Sequence, residues 1–174
     1  FGAFSTTGAF MLNDVTGGLN VTGNLETHGG SAAISTMGGA LALGGSNITT
    51  GGGNVSLSGT GVTSTGGTVN AGGGTILVDG NDGAVNLAGA LTTTNETAAA
   101  VRVIDATTAS VGNITTGAAG TVVLGEAGGD NLSGAVTQTG AINSGAVVGN
   151  GGSTVTLQFQ GGKLARFELD RPAP

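Results

Sequence analysis

Few side chains in this sequence could perform acid–base or metal chemistry, and they are widely separated. His28 is the single histidine among 174 residues, and there is no cysteine. A zinc site usually needs three or four nitrogen or sulfur ligands from the protein, which this chain cannot supply. His28 follows Thr27 and precedes two glycines, a context that is typical of a turn. We therefore predict that His28 is a solvated turn residue.

Acidic residues recur at one phase of the sequence. Asp79, Asp105 and Glu126 each follow a short aliphatic stretch, and Asp82 and Asp130 lie close by. If neighbouring strands stacked these three carboxylates, they would lie roughly 5 to 10 Å apart and repel one another. Such a row faces solvent, stays partly protonated or binds a cation, and calcium prefers oxygen ligands of this kind. We therefore predict a solvent-facing row, and the alternative is that Asp79, Asp105 and Glu126 are calcium ligands.

Catalysis is the other chemistry that grouped carboxylates could perform. A pair of carboxylates serves as acid and base in glycoside hydrolysis, and acidic polysaccharides call for basic partners as well. Arg102 is the only lysine or arginine before Lys163. No glycine-rich stretch ends in the Gly-Lys-Ser/Thr of a phosphate-binding loop. We expect no catalytic residues, no enzymatic activity and no cofactor, with calcium as the one candidate ion.

The composition excludes several classes of protein. The formal net charge is −6 and only 8% of residues are charged, which is unsuitable for binding nucleic acid. No apolar run approaches the roughly 18 residues of a transmembrane segment. Glycine accounts for 38 residues, but 38% of the chain is hydrophobic and only two residues are proline, so neither disorder nor collagen fits. Abundant Thr, Val, Asn and Gly favour short strands joined by tight turns.

An internal repeat predicts the elements that must carry these side chains. Segments that begin at Asn24, Asn47 and Asn113 share an Asn-aliphatic-x-Thr core and start 23 and 66 residues apart. A step of about 22 residues accounts for both intervals and predicts one aliphatic anchor in each repeat. The predicted anchors are Leu25, Ile48, Val69, Leu91, Ile114 and Val136.

Two more aliphatic patches follow each anchor, separated by glycine-rich corners. The first patch lies at Ala32/Ile34, Val55/Leu57, Ile76/Val78, Val101/Val103 and Val122/Leu124, and the second at Leu41/Leu43, Val62, Val85/Leu87, Val111 and Leu132. Three short strands in each step of about 22 residues predict an all-β, right-handed parallel β-helix, or β-solenoid. A β-sandwich of short strands is the alternative, which the constant step disfavours. We assign residues 17–150 to the solenoid, 1–16 to an N-terminal cap or junction, and 151–174 to a C-terminal hairpin or cap with a tail.

The repeat units resemble those of filamentous haemagglutinin-like adhesins. The units at residues 47–59 and 113–117, with their shared Asn-Ile-Thr-Thr-Gly sequence, are similar to repeats of these and other bacterial passenger proteins exported by two-partner or autotransporter routes. The resemblance covers about residues 17–150. It implies a secreted or surface-displayed structural protein, the stalk of an adhesin or the subunit of a filament, with a host or glycan surface as partner.

Two further functions fit the pattern less closely. A polysaccharide-active β-helix enzyme would use the carboxylates described above. An ice-binding solenoid would use flat arrays of Thr-x-Thr pairs, and such pairs occur at Thr63/Thr65, Thr92/Thr94 and Thr137/Thr139.

All aromatic side chains lie near the two ends of the chain. They are Phe1, Phe4, Phe10, Phe159 and Phe167. The end coils of a solenoid expose unpaired strand edges that must be covered. We predict that these residues cap the ends, join neighbouring segments or stack subunits head to tail into filaments. At the C-terminus, residues 155–159 and 164–169 are predicted to pair as a hairpin.

Overall fold

The computed structural model describes residues 1–151 and 154–156 as a stack of parallel strands without a helix. The strands are β1 (Phe4–Ser5), β2 (Phe10–Asp14), β3 (Leu19–Asn20), β4 (Leu25–Glu26), β5 (Ala32–Thr36), β6 (Leu41–Ala42), β7 (Ile48–Thr49), β8 (Val55–Ser58), β9 (Val62–Ser64), β10 (Thr68–Asn70), β11 (Ile76–Leu87), β12 (Ala90–Thr92), β13 (Val101–Val111), β14 (Ile114–Thr115), β15 (Thr121–Leu124), β16 (Val136–Gln138), β17 (Ile142–Asn143), β18 (Ala146–Gly149) and β19 (Val155–Thr156). Because the described residues form no helix, none of them forms a helix that could cross a membrane.

The strands form three faces of a β-solenoid. Face A is a seven-stranded sheet of β1, β4, β7, β10, β12, β14 and β17. Face B contains β2, β5, β8, β15 and β18, and face C contains β3, β6, β9, β16 and β19. The long strands β11 and β13 run through both B and C. The predicted fold class is confirmed: the chain is an all-β solenoid of about 6 turns, with stacked coils about 23 residues apart.

Alternation of side chains along each strand builds the core. In β5 the residues Ala32, Ile34 and Thr36 are buried, whereas the residues between them are partly exposed. In-register parallel pairing then stacks each inward residue on its counterpart in the next coil. Each fully buried Leu, Ile or Val contributes about 1.5–3 kcal/mol through the hydrophobic effect. The core is therefore a continuous aliphatic column along the stack.

Five of the predicted anchors lie in one column on face A. They are Leu25, Ile48, Val69, Leu91 and Ile114, and each pairs with the next. All five are buried.

The prediction of Val136 as the sixth anchor is wrong. Ile114 pairs on face A with Ile142, 28 residues later, and Val136 lies on face C against Ala109. The last described coils are therefore longer than the repeat step implies.

A loop inserted at the corner between faces B and C explains this longer coil. Val103 pairs with Leu124, and Ala106 bridges Leu132, so the two residues between Val103 and Ala106 match seven residues in the next coil. Residues 125–131 supply the additional length. Leu132, predicted for the aliphatic patch on face C, lies instead at this corner, and Val136 takes the place on face C.

The two ends of the chain differ in how much of them is described. Residues 1–16 contain β1 and β2, which pair with β4 and β5. Val155–Thr156 pairs in parallel with β16. Residues 164–169, the predicted second arm of the C-terminal hairpin, lie outside the described residues, as do Phe159 and Phe167.

Candidate functional site

Buried threonines hold the corner between faces A and B. The Thr50 hydroxyl donates to the carbonyl oxygen of Gly53 and closes a turn. In the next coil Ala71 takes the place of this threonine, and the hydroxyl of Thr93, one coil further, lies 2.5 Å from the carbonyl oxygen of Gly74. Buried carbonyl groups need such partners. A hydroxyl therefore serves this corner even in the coil that lacks its own threonine.

Asparagine side chains join successive coils at the start of face A. The amide N–H of Asn47 donates to Asn24 Oδ1 and the N–H of Thr68 donates to Asn47 Oδ1, both at 2.9 Å. The N–H of Ala141 donates in the same way to Asn113 Oδ1 at 2.8 Å. These asparagines therefore satisfy backbone donors at the turns.

His28 contacts two side chains of the outward surface of face A. Its Nε2 lies 3.2 Å from Ser5 Oγ, and its Nδ1 lies 3.4 Å from Glu26 Oε1. Ser5 and Glu26 are paired residues of β1 and β4. The prediction of a solvated turn residue is confirmed, because His28 lies in a turn and its side chain is 48% exposed. The structure adds that the imidazole lies between a hydroxyl and a carboxylate.

The backbone of His28 adopts an uncommon conformation. Its φ angle is 47°, and at the matching corners of the next two coils Gly51 and Gly72 have φ angles of 69° and 58°. A left-handed conformation costs a non-glycine residue about 1–2 kcal/mol, which glycine avoids. The turn holds because the buried hydroxyl of Thr27 donates to the carbonyl oxygen of Gly30. A histidine therefore occupies a corner where the next two coils use glycine.

The sequence contained a signal for this group of residues. Glu26 and His28 follow Ser5 by 21 and 23 residues, which are steps found between paired strands elsewhere in the stack. Sequence reasoning considered His28 only as a metal ligand and as a turn residue. If Ser5 had been aligned with the residues one repeat step later, Glu26 and His28 would have been recognised as its neighbours.

Glu126, a predicted calcium ligand, forms an ion pair with Arg102. Arg102 Nε donates to Glu126 Oε1 and its terminal nitrogen donates to Oε2, both at 2.6 Å. The hydrogen bonds to Glu126 raise the pKa of the Arg102 guanidinium above its ordinary value, against the opposing effect of burial. Asp79 pairs in register with Ile104, so it does not stack directly on Asp105. The three predicted ligands therefore do not form a simple in-register row.

Asp105 lies in a crowded acidic corner between faces B and C. Burial raises the pKa of its carboxyl above the ordinary value of 3.8, and the negative charges of Asp82, Asp79 and Asp130 raise it further. Its φ angle is 49° and that of Asp82 is 59°. No group of three or more histidine, cysteine or acidic side chains is arranged to hold a metal ion in the described part of the chain. Calcium binding at this corner stays a prediction.

Three of the five predicted end-capping aromatics form a cluster on the first coil. The ring centroid of Phe10 lies 5.2 Å from that of Phe1 and 5.0 Å from that of Phe4. Phe1 and Phe10 are partly buried and pack against the core, whereas Phe4 is 44% exposed. The rings therefore close part of the core opening and leave one apolar side chain in solvent.

The outward side of face C is uncharged along its described strands. Its central column is Asn20, Ala42, Thr63, Asn86, Ser110, Thr137 and Thr156. Thr63 and Thr137 begin two of the three predicted Thr-x-Thr pairs, whereas Thr92 of the remaining pair lies on face A. Asn86 and Ser110 separate the two threonines on face C, so the pairs do not form one continuous array.

A small, partly open cavity lies between faces A and C. It has a volume of about 10 Å³ and is lined by Leu43, Val69, Leu87 and Leu91 among others. That volume accommodates about one water molecule, and Ser46, Ser64 and Thr68 line the cavity beside the aliphatic residues.

Comparison with known proteins identifies no relative of this chain. No protein-family model, no curated protein and no solved structure matches it. The solenoid assignment therefore rests on the strand ladders alone, and the resemblance to haemagglutinin-like repeats stays a prediction.

Proposed function

We propose that this chain is a structural segment of a secreted or cell-surface bacterial adhesin, in which the solenoid serves as a stalk. The observation that carries the proposal is the continuity of the stack, because face A pairs without a break from β1 to β17. Each added coil lengthens such a rod by about 4.8 Å. Strand pairing and core packing between successive coils make the rod stiff, which suits a stalk that holds a contact surface away from a cell.

Face C is the surface that we assign to adhesion. Its exposed Thr63, Asn86 and Thr137 lie in one column, offer hydroxyl and amide groups and carry no charge. Sugar hydroxyls form hydrogen bonds with such groups, and an uncharged surface imposes no cost for desolvating ions. The partner that fits best is therefore a neutral glycan on a host or neighbouring cell.

Adhesion is tested with beads that carry the purified chain, applied to immobilised neutral glycans and to cultured cells. The double variant Thr63→Lys/Thr137→Lys places long cations on face C and should abolish attachment. The matched variant Thr49→Lys/Thr115→Lys makes the same change on face A, with the two lysines also three strands apart, and should preserve it. No attachment by the wild-type chain to any glycan or cell would reject the adhesive role, and equal loss in both variants would reject face C.

A filament subunit is a second candidate, supported by the aromatic cluster on the first coil. Phe4 projects 44% of its surface into solvent beside Phe1 and Phe10. Head-to-tail stacking of copies would bury these rings and continue the strand ladders. Electron microscopy across a concentration series, with and without calcium, tests this idea.

Fibres one solenoid wide would support stacking of subunits through their ends. They should disappear in Phe4→Ser and persist in Met11→Ser, which removes an apolar side chain that is 82% exposed. Fibres that form only with calcium would implicate the acidic corner. Short isolated rods under every condition would reject the filament and leave the stalk.

The enzyme and ice-binding alternatives have weaker support. Glu126 is engaged by Arg102, and the Thr-x-Thr pairs lie on two faces. If the purified chain released uronate from pectin or alginate, that result would support the polysaccharide-active enzyme. Thermal hysteresis in a solution of the chain would support the ice-binding solenoid.

A further inference from the structure

A serine, a histidine and a carboxylate lie in contact in the order that activates a serine hydroxyl for nucleophilic attack. They are Ser5, His28 and Glu26. A hydroxyl lies 3.2 Å from one ring nitrogen of the histidine, and a carboxylate lies 3.4 Å from the other. The order nucleophile, base and orienting acid defines a catalytic triad by geometry, whatever the fold. We propose that these residues form a nucleophilic triad that cleaves short, uncharged carboxylic esters. This activity would be additional to the structural role of the solenoid.

The carboxylate sets the tautomer of the imidazole. In the proposed active arrangement Glu26, whose Oε1 lies 3.4 Å from Nδ1, accepts a hydrogen bond from that atom and so favours the His28 tautomer with its proton on Nδ1. The Nε2 atom then carries a lone pair directed at Ser5 Oγ. Glu26 is therefore a positioning residue, and Ser5 and His28 are the residues that meet the substrate.

The position of His28 is independent support for a function. Its φ angle of 47° is left-handed, and glycine occupies the equivalent corner in the next two coils. Backbone strain in a non-glycine residue is concentrated at functional sites, because folding alone would favour its loss. At this corner only His28 combines that strain with contacts to a hydroxyl and a carboxylate.

The backbone next to Ser5 supplies a donor for the developing oxyanion. In a parallel ladder, the N–H groups of alternate residues point toward the same neighbouring strand. The N–H groups of Phe4 and Thr6 donate to the carbonyl oxygens of Asn24, just before β4, and of Glu26 in β4. The N–H of Ser5 therefore points away from β4, on the same residue as the attacking hydroxyl. Backbone donors of this kind stabilise tetrahedral intermediates.

The proposed reaction uses only these groups, the ester and water. Ser5 Oγ forms a bond to the carbonyl carbon, the carbonyl π electrons move to oxygen, and the hydroxyl proton passes to His28 Nε2. As the tetrahedral intermediate collapses, the bond to the leaving oxygen breaks and His28 returns the proton to the departing alcohol. Water then attacks the acyl-serine by the same route and releases the carboxylic acid.

The surroundings define the class of ester. All three side chains are exposed on the outward surface of face A. An open surface favours a short acyl group on an accessible alcohol or phenol. The carboxylate of Glu26 repels anionic substrates, so the ester should be uncharged.

Covalent labelling of the full chain tests the proposal directly. A fluorophosphonate probe, followed by peptide mass spectrometry, should place an adduct on Ser5. With p-nitrophenyl acetate the chain should show acylation of Ser5 and release of nitrophenol. The variant His28→Gly should lower the labelling rate by about 100-fold or more, since this is the typical contribution of general base catalysis. Glu26→Gln should give a partial loss, because the amide keeps an acceptor without the charge.

Stability separates a catalytic histidine from a structural one. His28→Gly removes the strained side chain, so its melting temperature should be equal to or above that of the wild type while labelling is lost. His28→Asn, which also tolerates a left-handed backbone, is a second variant that lacks the base. The control Ser56→Ala removes an outward serine of face B and should leave labelling of Ser5 unchanged.

Three outcomes would overturn the triad. The first is that the fluorophosphonate probe labels Ser5 no faster than Ser56. The second is that His28→Gly and His28→Asn retain the wild-type labelling rate in a folded chain. Undiminished ester cleavage by Ser5→Ala would assign the reaction to the imidazole alone.

Discussion

Thr49 and Thr50 are neighbours in the sequence, but their side chains lie on opposite sides of face A. Thr50 is fully buried and its hydroxyl donates to the carbonyl oxygen of Gly53, whereas Thr49 points outward. Thr50→Val keeps the shape of the side chain and leaves that buried carbonyl without its donor. We expect a loss of about 1–3 kcal/mol in the free energy of unfolding, measured by urea denaturation.

The control is Thr49→Val, which makes the same chemical change in the adjacent residue. Both residues are β-branched before and after the change, so strand propensity is matched. The outward change should alter the free energy of unfolding by about 0.5 kcal/mol or less. Equal losses in the two variants would show that the hydroxyl of Thr50 has no special role at the corner.

The raised pKa of Asp105 predicts a dependence of stability on pH. Burial is the main cause of the shift, followed by the charges of Asp82, Asp79 and Asp130. Above the unfolded value of 3.8 the unfolded chain loses this proton more readily than the folded chain, so stability falls as pH rises through the folded pKa. Asp105→Asn should therefore stabilise the chain at pH 7, and the gain should vanish below pH 3.8.

Asparagine is the appropriate replacement at this site. It matches the shape of aspartate and tolerates the left-handed φ of 49°. Thermal unfolding at pH 7 and pH 3 measures the effect. A gain of equal size at both pH values would mean that the charge of Asp105 is not its source.

At the scale of elements, the inserted loop between β15 and β16 is held to its neighbour by one ion pair and by backbone hydrogen bonds. Arg102 in β13 binds Glu126 in the loop, and the N–H groups of Asp105 and Ala106 donate to Asp130 and Asn131. The Arg102 and Glu126 side chains are 27% and 35% exposed, so solvent screening limits the pair to about 1 kcal/mol.

Loss of the ion pair should loosen this corner before it affects the rest of the stack. In Glu126→Gln the amides of Asp105 and Ala106 should exchange hydrogen about fivefold faster, which corresponds to about 1 kcal/mol. Glu96→Gln, in the turn before β13, removes an exposed carboxylate at another corner and is the matched control. Unchanged exchange at Asp105 and Ala106 would show that the backbone bonds suffice to hold the loop.

Much of the order of the strands was predictable from the sequence. The repeat step and the alternation of aliphatic residues both follow from one requirement, which is that inward residues of successive coils stack in the core. Leu25 and Ile48 had to share a column once the step was known. The last coil was not predictable, because both Leu132 and Val136 are aliphatic and either satisfies the alternation. The insertion at residues 125–131 decided between them, and glycine-rich segments of that kind also occur at ordinary corners.

The candidate triad depends on a different kind of information. Ser5 and His28 carry no local motif, and only the register between two coils brings them within 3.2 Å. The repeat step contained that register, but an exposed turn histidine gave no reason to apply it. Side-chain geometry across coils, including the left-handed backbone at His28, therefore had to come from the structure.

At the scale of the whole molecule, the stack should behave as a chain of nearest-neighbour contacts. Each coil pairs with the coil before it and the coil after it, through the same three faces. Removing residues 55–75 takes out β8, β9 and β10, which make up one coil, and leaves Asn54 in place of Thr75 before Ile76. Because Ile76 pairs with Val55, the join preserves the phase of inward and outward residues. The shortened chain should fold, with a lower melting temperature and a rod about 4.8 Å shorter.

A deletion of part of a coil provides the contrasting case. Removing residues 55–65 takes out β8 and β9 but keeps β10, so the chain would return to face A without crossing faces B and C. The aliphatic residues that follow could then no longer stack on those of the preceding coil, and the unpaired edges would be exposed. We expect this shorter deletion to abolish the cooperative unfolding transition measured by circular dichroism, although it removes fewer residues. If both deletions were equally harmful, stability would depend on contacts that extend beyond neighbouring coils. If both were tolerated, the register between coils would not determine the fold.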